Sequence, residues 1–204
     1  MLTTSLLVNL FGCTTSKADF WLPHLQSATA FADVAEDANR LACFLAQVGH
    51  ESGRLRYVRE IWGPTAQQLR YEPGTTLAKT LGNVEPGDGK RYMGRGLIQI
   101  TGRANYRATT DNMRAAIQEL GNSATEVPDF EAAPEMLESP LWAAMSAALF
   151  WRQHKLNALA DARDFVTLTK RINGGTNGLA DRQALYAAAS AALNSTIEEG
   201  APAG

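Results

Sequence analysis

Between residues 35 and 52, apolar side chains recur at Leu41, Phe44, Leu45 and Val48. The spacing i, i+3, i+4, i+7 is the period of one face of an α-helix. Gly53 follows at once and predicts the stop. The same period returns in the second half of the chain. Pro140 opens "PLWAAMSAALFWRQHKL", a proline suited to a first helical turn ahead of alanine-rich apolar sequence. Asp164 to Ile172 reads as a further helix stopped by "NGG", and Asp181 to Leu193, "DRQALYAAASAAL", as the last. Period-two alternation is sparse. Its best instance is "LIQIT", Leu97 to Thr101, where Ile98 and Ile100 alternate with Gln99 and Thr101 and place the polar pair on one side. A mainly α fold is expected, with a very small β element around residues 97–101.

A chain of 204 residues, 45% hydrophobic and 20% charged, can bury a core, and no repeat or composition break divides it. One domain over residues 1–194 is expected, with 195–204, beginning "STIEEG", as a flexible tail. The N-terminal "MLTTSLLVNLFGC" has no basic residue ahead of its short apolar run, so it reads as an amphipathic first helix and not as an export signal. No stretch approaches the roughly 20 apolar residues of a membrane span, so no membrane insertion is expected. Cys13 and Cys43 have neither a metal-site nor a disulfide-framework spacing and read as free thiols, Cys43 as a small buried group.

Charge is unevenly spread. From Arg54 to Arg107 there are ten Lys or Arg against four Asp or Glu, a net of +6, while the remainder carries a net of −8. Either the basic segment pairs with the acidic remainder, or it faces an anionic ligand. With no basic recognition helix or RNA-binding signature, a nucleic-acid partner is not expected.

The segment "GHESGRLRYVREIW" holds Glu51 and Glu60, which are either two surface charges or the two carboxyls of a glycosidase. Glu51 continues the apolar stripe of its helix into the last turn. Burial and the negative end of the helix dipole would both raise its pKa, as a general acid requires. On one unbroken helix Glu60 would point to the opposite side, about 13.5 Å further along. The glycine at 53 and the content of "RLRYVREIW" suggest instead an extended or looped return that brings Glu60 back to face Glu51. A gap of about 6.5 to 9.5 Å would make an inverting pair, about 5 Å a retaining one.

Three segments carry a resemblance: "FLAQVGHESG" at 44–53, "YMGRGLIQITGRANY" at 92–106 and "RINGGTNGLADR" at 171–182. Together they resemble glycoside hydrolase family 19, the lysozyme-like chitinases and phage endolysins, from about Trp21 to Tyr186, and most of all the compact endolysins of phages infecting Gram-negative bacteria. The resemblance implies a lysozyme-like helical domain in which Glu51 protonates the leaving oxygen, Glu60 activates the attacking water and Thr101 helps hold that water. It also implies that Gln99, Asn105 and Asn173 bond sugar hydroxyls and acetamido groups, and that the anomeric carbon inverts. Glu60 follows Glu51 sooner than the second acid does in plant chitinases, so its assignment rests on the endolysin pattern. Tyr92 and Arg54 are further candidates for substrate contact. The implied substrate is the β-1,4-linked glycan of peptidoglycan, or chitin, with no cofactor and no metal. A monomer is expected, and the resemblance implies an enzyme made in the host cytoplasm and released by a holin to act in the periplasm; the alternative is a part delivered inside a particle or by secretion machinery.

Duller readings stand beside these. Asn173 before Gly174 also fits a helix C-cap. Arg95 between two glycines fits a structural hub better than a substrate contact. Tyr92, Tyr106, Trp62 and Trp151 line either a sugar groove or the core. A zinc reading of His50 fails because position 54 is arginine and "HExxH" is absent, and His24, His50 and His154 have no close ligand spacing for a zinc amidase. A catalytically dead wall-binding module on the same scaffold is the remaining rival.

Overall fold

The computed structural model describes residues 1–199. Their regular structure, in chain order, is α1 (Thr4–Phe11), α2 (Thr15–Phe31), α3 (Ala38–Glu51), α4 (Ala66–Leu69), α5 (Thr76–Leu81), α6 (Asp88–Arg91), α7 (Arg103–Glu119), a 3-10 turn (Pro134–Glu138), α8 (Pro140–Gln153), α9 (Leu156–Asp161), α10 (Phe165–Asn173) and α11 (Leu179–Glu199). The helices foreseen from periodicity are present, and the last one runs on through Ser195 to Glu199, into the stretch read as tail. Residues 200–204 lie outside the described residues. No helix among the described residues is long and apolar enough to cross a membrane.

The chain divides into two compact units, one made of Met1–Arg56 and the chain from Phe150 onward, the other of Tyr57–Leu149. The first is organised around α3. Asp37 caps its N-terminus by accepting from the Arg40 N–H at 2.8 Å, and every residue from Leu41 to Gly49 is buried. A helix buried on all sides belongs at the centre of a core. α11 packs along it, and Phe44 meets Trp151 edge to face, ring centroids 5.4 Å apart. Trp151, 2% exposed, is therefore core and not groove. Gly49 is required by close approach, since a Cβ there would lie 2.5 Å from the Phe11 ring.

The end of α3 fixes the direction of the chain. The Ser52 hydroxyl donates to Val48 O at 2.7 Å and accepts from the Leu55 N–H at 2.8 Å. Gly53, Arg54 and Leu55 then follow with φ of 57°, 60° and 61°. The helix stops where the glycine predicts, but the left-handed turn runs on through two residues that resist it.

The second unit has a core of Tyr92, Leu97, Tyr106, Met113, Phe130 and Leu137, each at most 1% exposed. Through it runs Arg95, 8% exposed. Its guanidinium donates to Glu138 Oε1 at 2.7 Å, to Arg91 O at 2.6 Å and to the Tyr106 hydroxyl at 3.0 Å, the hub expected of an arginine held between glycines.

The mainly α fold is borne out, and the very small β element expected around residues 97–101 is present as a bridge at Ile100, but the extended strand read over Leu97–Thr101 is a turn. Arg95 and Ile100 exchange backbone hydrogen bonds of 3.0 and 2.7 Å, and the residues between them form a tight turn. Gly96 (φ 80°) and Gln99 (φ 58°) are both left-handed, which closes the chain on itself where alternation alone would have kept it extended. Among the described residues the β structure consists of two isolated antiparallel bridges, Arg59 with Arg95 and Arg95 with Ile100.

Candidate active site

Glu51 is the last residue of α3, and its side chain is 21% exposed. Its surroundings differ from the apolar socket expected of it. Oε1 accepts from the Arg182 guanidinium at 2.5 Å, and Arg182 is itself only 1% exposed. The apolar stripe on α3 gives way to polar groups one turn earlier. Gln47, 1% exposed, accepts from Arg182 Nη1 at 2.5 Å through Oε1 and donates to the Thr169 hydroxyl at 2.9 Å through Nε2. Arg182 Nε donates to Asn177 O at 3.4 Å, and the Asn173 side-chain amide donates to the same oxygen at 3.3 Å. A chain of buried hydrogen bonds thus runs Thr169, Gln47, Arg182, Glu51, with Asn173 tied in at its edge. Such a chain is costly to leave half satisfied, and here each of the named side-chain atoms has a partner.

Beside it lies a second pairing. His50 Nδ1 is 2.6 Å from Asp181 Oδ2, and Arg54 Nη2 donates to Asp181 Oδ1 at 2.7 Å. The hydrogen bond from His50, and after it that from Arg54, hold the Asp181 carboxyl below the usual carboxylate range against the opposing pull of burial. Arg54, expected to meet substrate, has one guanidinium nitrogen committed here. His50 is likewise occupied by a carboxylate, and among the described residues no cluster of three or more His, Cys, Asp or Glu could hold a metal.

In the other unit, Glu60 is gripped by donors. Oε1 accepts from Gln68 Nε2 at 2.9 Å and Oε2 from the Gly94 N–H at 3.2 Å, while its own N–H donates to Gly94 O at 2.8 Å. Gln68 is 4% exposed, and its Oε1 accepts from the Thr65 N–H at 2.7 Å in the capping box that starts α4. Burial, and after it the charge of Glu60, push the Tyr71 hydroxyl above its ordinary pKa, so that Tyr71 stays a protonated phenol near this carboxylate.

The same glycine gathers two more of the expected residues. A Cβ on Gly94 would lie 2.7 Å from Gln99 Oε1 and 3.3 Å from Thr101 Oγ1. Gln99 and Thr101 therefore do share a side, although by a turn and not by strand alternation. The Thr101 hydroxyl donates to Gln99 O at 2.9 Å and the Asn105 amide to Thr101 O at 2.7 Å, on the exposed start of α7.

Tyr92 is corrected. It is 1% exposed, its hydroxyl donates to Glu131 O at 3.1 Å and its ring lies edge to face against Tyr106, so it is core and out of reach of a ligand. Asn173 ends α10, and the left-handed cap is its neighbour Gly174 at φ 73°. Gln47, Gln68, Asp181 and Arg182 escaped the sequence reading. Gln47 stands one helical turn before Glu51, and Asp181 and Arg182 close the segment "RINGGTNGLADR", so a signal was present for three of the four.

No family model matches the chain. A Haemophilus influenzae protein described as a glycosyl hydrolase family 19 domain-containing protein is 31% identical over 80% of this chain and 86% of its own length. An endochitinase of Arabidopsis thaliana is 36% identical over 66% of this chain, and that match spans only 39% of the plant protein. Among solved structures, chitinase C from Streptomyces griseus superposes with a TM-score of 0.65 at 22% identity, over 94% of this chain and 92% of that one. A bacterial family 19 chitinase gives 0.63 at 22% identity, over 94% of each chain.

Proposed function

We propose, from the premise that this chain belongs to glycoside hydrolase family 19 and is a chitinase-like glycosidase with that family's mainly helical fold, that it cuts the β-1,4 links of peptidoglycan. Glu51 serves as general acid and Glu60 as general base, with inversion at the anomeric carbon. Arg182 takes Oε1 of Glu51, while Oε2, the atom from which a proton passes to the leaving oxygen, has no hydrogen bond among the described residues. Glu60 accepts two N–H bonds, which suits a carboxylate that must remain an acceptor until it takes a proton from water. Thr101 and Gln99, packed on the glycine whose N–H holds Glu60, are the groups to steady that water and a sugar hydroxyl.

The observation that carries the choice of polymer is a surplus of cations. Arg54, Arg59, Arg95, Arg103 and Arg107 pair with carboxylates, as the bland reading of the basic segment requires. Arg56, Arg70, Lys79, Lys90 and Arg91 have no such pairing among the described residues, Arg91 instead donating to Ala132 O. Peptidoglycan carries lactyl and stem-peptide carboxylates and chitin carries none, so free cations favour the anionic polymer. The chitinase reading is favoured by a different observation, the names of the relatives.

Digestion of purified sacculi and of chitin oligomers, with products identified by mass, separates them. New reducing ends from sacculi support the proposal, free stem peptides would replace it with an amidase, and cleavage of chitin alone would leave the chitinase. Glu51→Gln and Glu60→Gln should each lower turnover by roughly 10² to 10⁴-fold with the fold intact. Near-parent rates in either variant remove that residue from the mechanism.

A further inference from the structure

We propose that Asp181 is a positioning residue for Glu51, holding His50 and Arg54 together so that the first turn of α11, and Arg182 with it, stays locked to the last turn of α3. The proposal rests on the reading of Glu51 as the acid.

The register of the contact is the first support. Two consecutive residues of α3, His50 and Glu51, meet two consecutive residues of α11, Asp181 and Arg182, in that order. A shift of either helix end breaks both pairs together. The His50 ring also lies flush on the backbone leading into α11, for a Cβ on Gly178 would come within 2.2 Å of it. No side chain fits there, so the ring itself is the spacer between the two helix ends.

Strain is the second support. Gly53, Arg54 and Leu55 form a left-handed run directly after Glu51, and non-glycine residues stay in that region only where the surroundings over-determine them. The ties are few. Asp181 takes the Arg54 guanidinium, Lys17 Nζ donates to Arg54 O at 3.4 Å, and Ser52 Oγ takes the Leu55 N–H. Asp181 thus anchors the strained turn on one side of Glu51 and the helix bearing its guanidinium partner on the other.

A merely structural ion pair would behave otherwise. The side chains of Asp181, His50 and Arg54 are 36%, 27% and 44% exposed, a setting in which pairs contribute little to stability. Positioning instead predicts a loss in turnover out of proportion to any loss in stability, because displacement of a catalytic group by about 1 Å costs on the order of 10²-fold.

The test measures kcat, KM and Tm for Asp181→Ala and Asp181→Asn, on sacculi or chitin oligomers, whichever the parent cleaves. Glu51→Gln serves as reference and Asp33→Ala as control, since Asp33 forms an exposed pair with Arg40 in the same unit. The expected result is a fall in kcat of roughly 10- to 100-fold for Asp181→Ala with KM within about twofold. The Asn variant, which keeps the side-chain shape and an acceptor oxygen, should recover part of that loss, and Asp33→Ala should match the parent. Should Asp181→Ala fail to fold, Asp181→Asn decides: kcat at least about threefold below the parent at the parent Tm supports positioning, and an unchanged kcat overturns it. Parent-like kcat in Asp181→Ala beside an inactive Glu51→Gln overturns the proposal and leaves the acid standing. An active Glu51→Gln removes the acid, and the proposal goes with it.

Discussion

Asp88 shows how single residues in this chain combine burial with charge. It is 2% exposed, accepts from Arg103 at 2.9 and 2.7 Å and takes the N–H groups of Val84 and Glu85 at 2.9 and 3.0 Å. Burial pulls its pKa upward, yet the Arg103 hydrogen bonds and the two N–H groups outweigh it and hold the folded value below the ordinary 3.8. A carboxyl depressed on folding stabilises above its unfolded pKa, and that contribution drains away as pH falls through the folded value. Asp88→Asn should therefore cost about 3 kcal/mol at neutral pH by removing the nearer charge partner of Arg103 and leaving only the 3.5 Å contact with Glu131, and should flatten the acid limb of the stability curve below pH 4. Urea titrations at several pH values measure both effects, and parallel curves for parent and variant would refute them. Cys43 is the opposite case. Burial first, and then the charge of Asp37, push its thiol up to about 12 against a smaller lowering by Arg163. In the native protein Cys43 should resist thiol-disulfide reagents at neutral pH, reacting only after denaturant is added, and mass spectrometry of the labelled protein reads the site.

Among the elements, the approach of α5 to α7 depends on two glycines. Gly82 ends α5 in the left-handed conformation at φ 69°, and a Cβ there would lie 2.5 Å from that of Ala104. Gly102 precedes α7 at φ 95°, where a Cβ would meet Leu81 Cβ at 2.6 Å and Leu81 O at 2.7 Å. Each glycine lets the chain pass where the other helix end already sits. Gly102→Ala combines an unfavourable φ with a clash against backbone, so a loss of about 2 to 4 kcal/mol is expected from the two together. Because Gly102 N–H also donates to Tyr92 O at 2.8 Å, and Thr101 is its neighbour, turnover should fall along with the denaturation midpoint. A midpoint unchanged in Gly102→Ala would mean that the close approach is absent in solution.

For the molecule as a whole, charge is the property that separates the two polymers the family resemblance brings into view. About half of the cations between Arg54 and Arg107 are consumed by carboxylates, so neutralising the entire segment would mostly break internal pairs. Arg56 and Arg70 are exposed and have no ion-pair partner among the described residues. Their joint replacement by Gln should weaken digestion of sacculi, more so at low salt where screening is least, and leave cleavage of neutral chitin oligomers within about twofold of the parent. Equal losses on both polymers, or none on either, would detach the free cations from substrate choice.

Local order was legible because it is written locally. The i, i+3, i+4, i+7 pattern around Phe44 and the proline at 140 located helices, and the segments around residues 51 and 97 are the ones that single out Glu51, Glu60, Gln99 and Thr101 as candidates. Only tertiary structure decided what surrounds them. Arg182 stands 131 positions from Glu51, so no window along the chain could reveal that the end of the apolar stripe meets a buried guanidinium. The turn at Arg95–Ile100 closed because Gln99 accepts a left-handed φ, which alternation cannot signal, and Tyr92 turned inward because Tyr106 and Glu131 were there to receive it. Periodicity reports which way a side chain faces relative to its own backbone. Which groups wait on that side is settled by segments far apart in sequence, through packing and hydrogen bonding that exist only once the chain has folded.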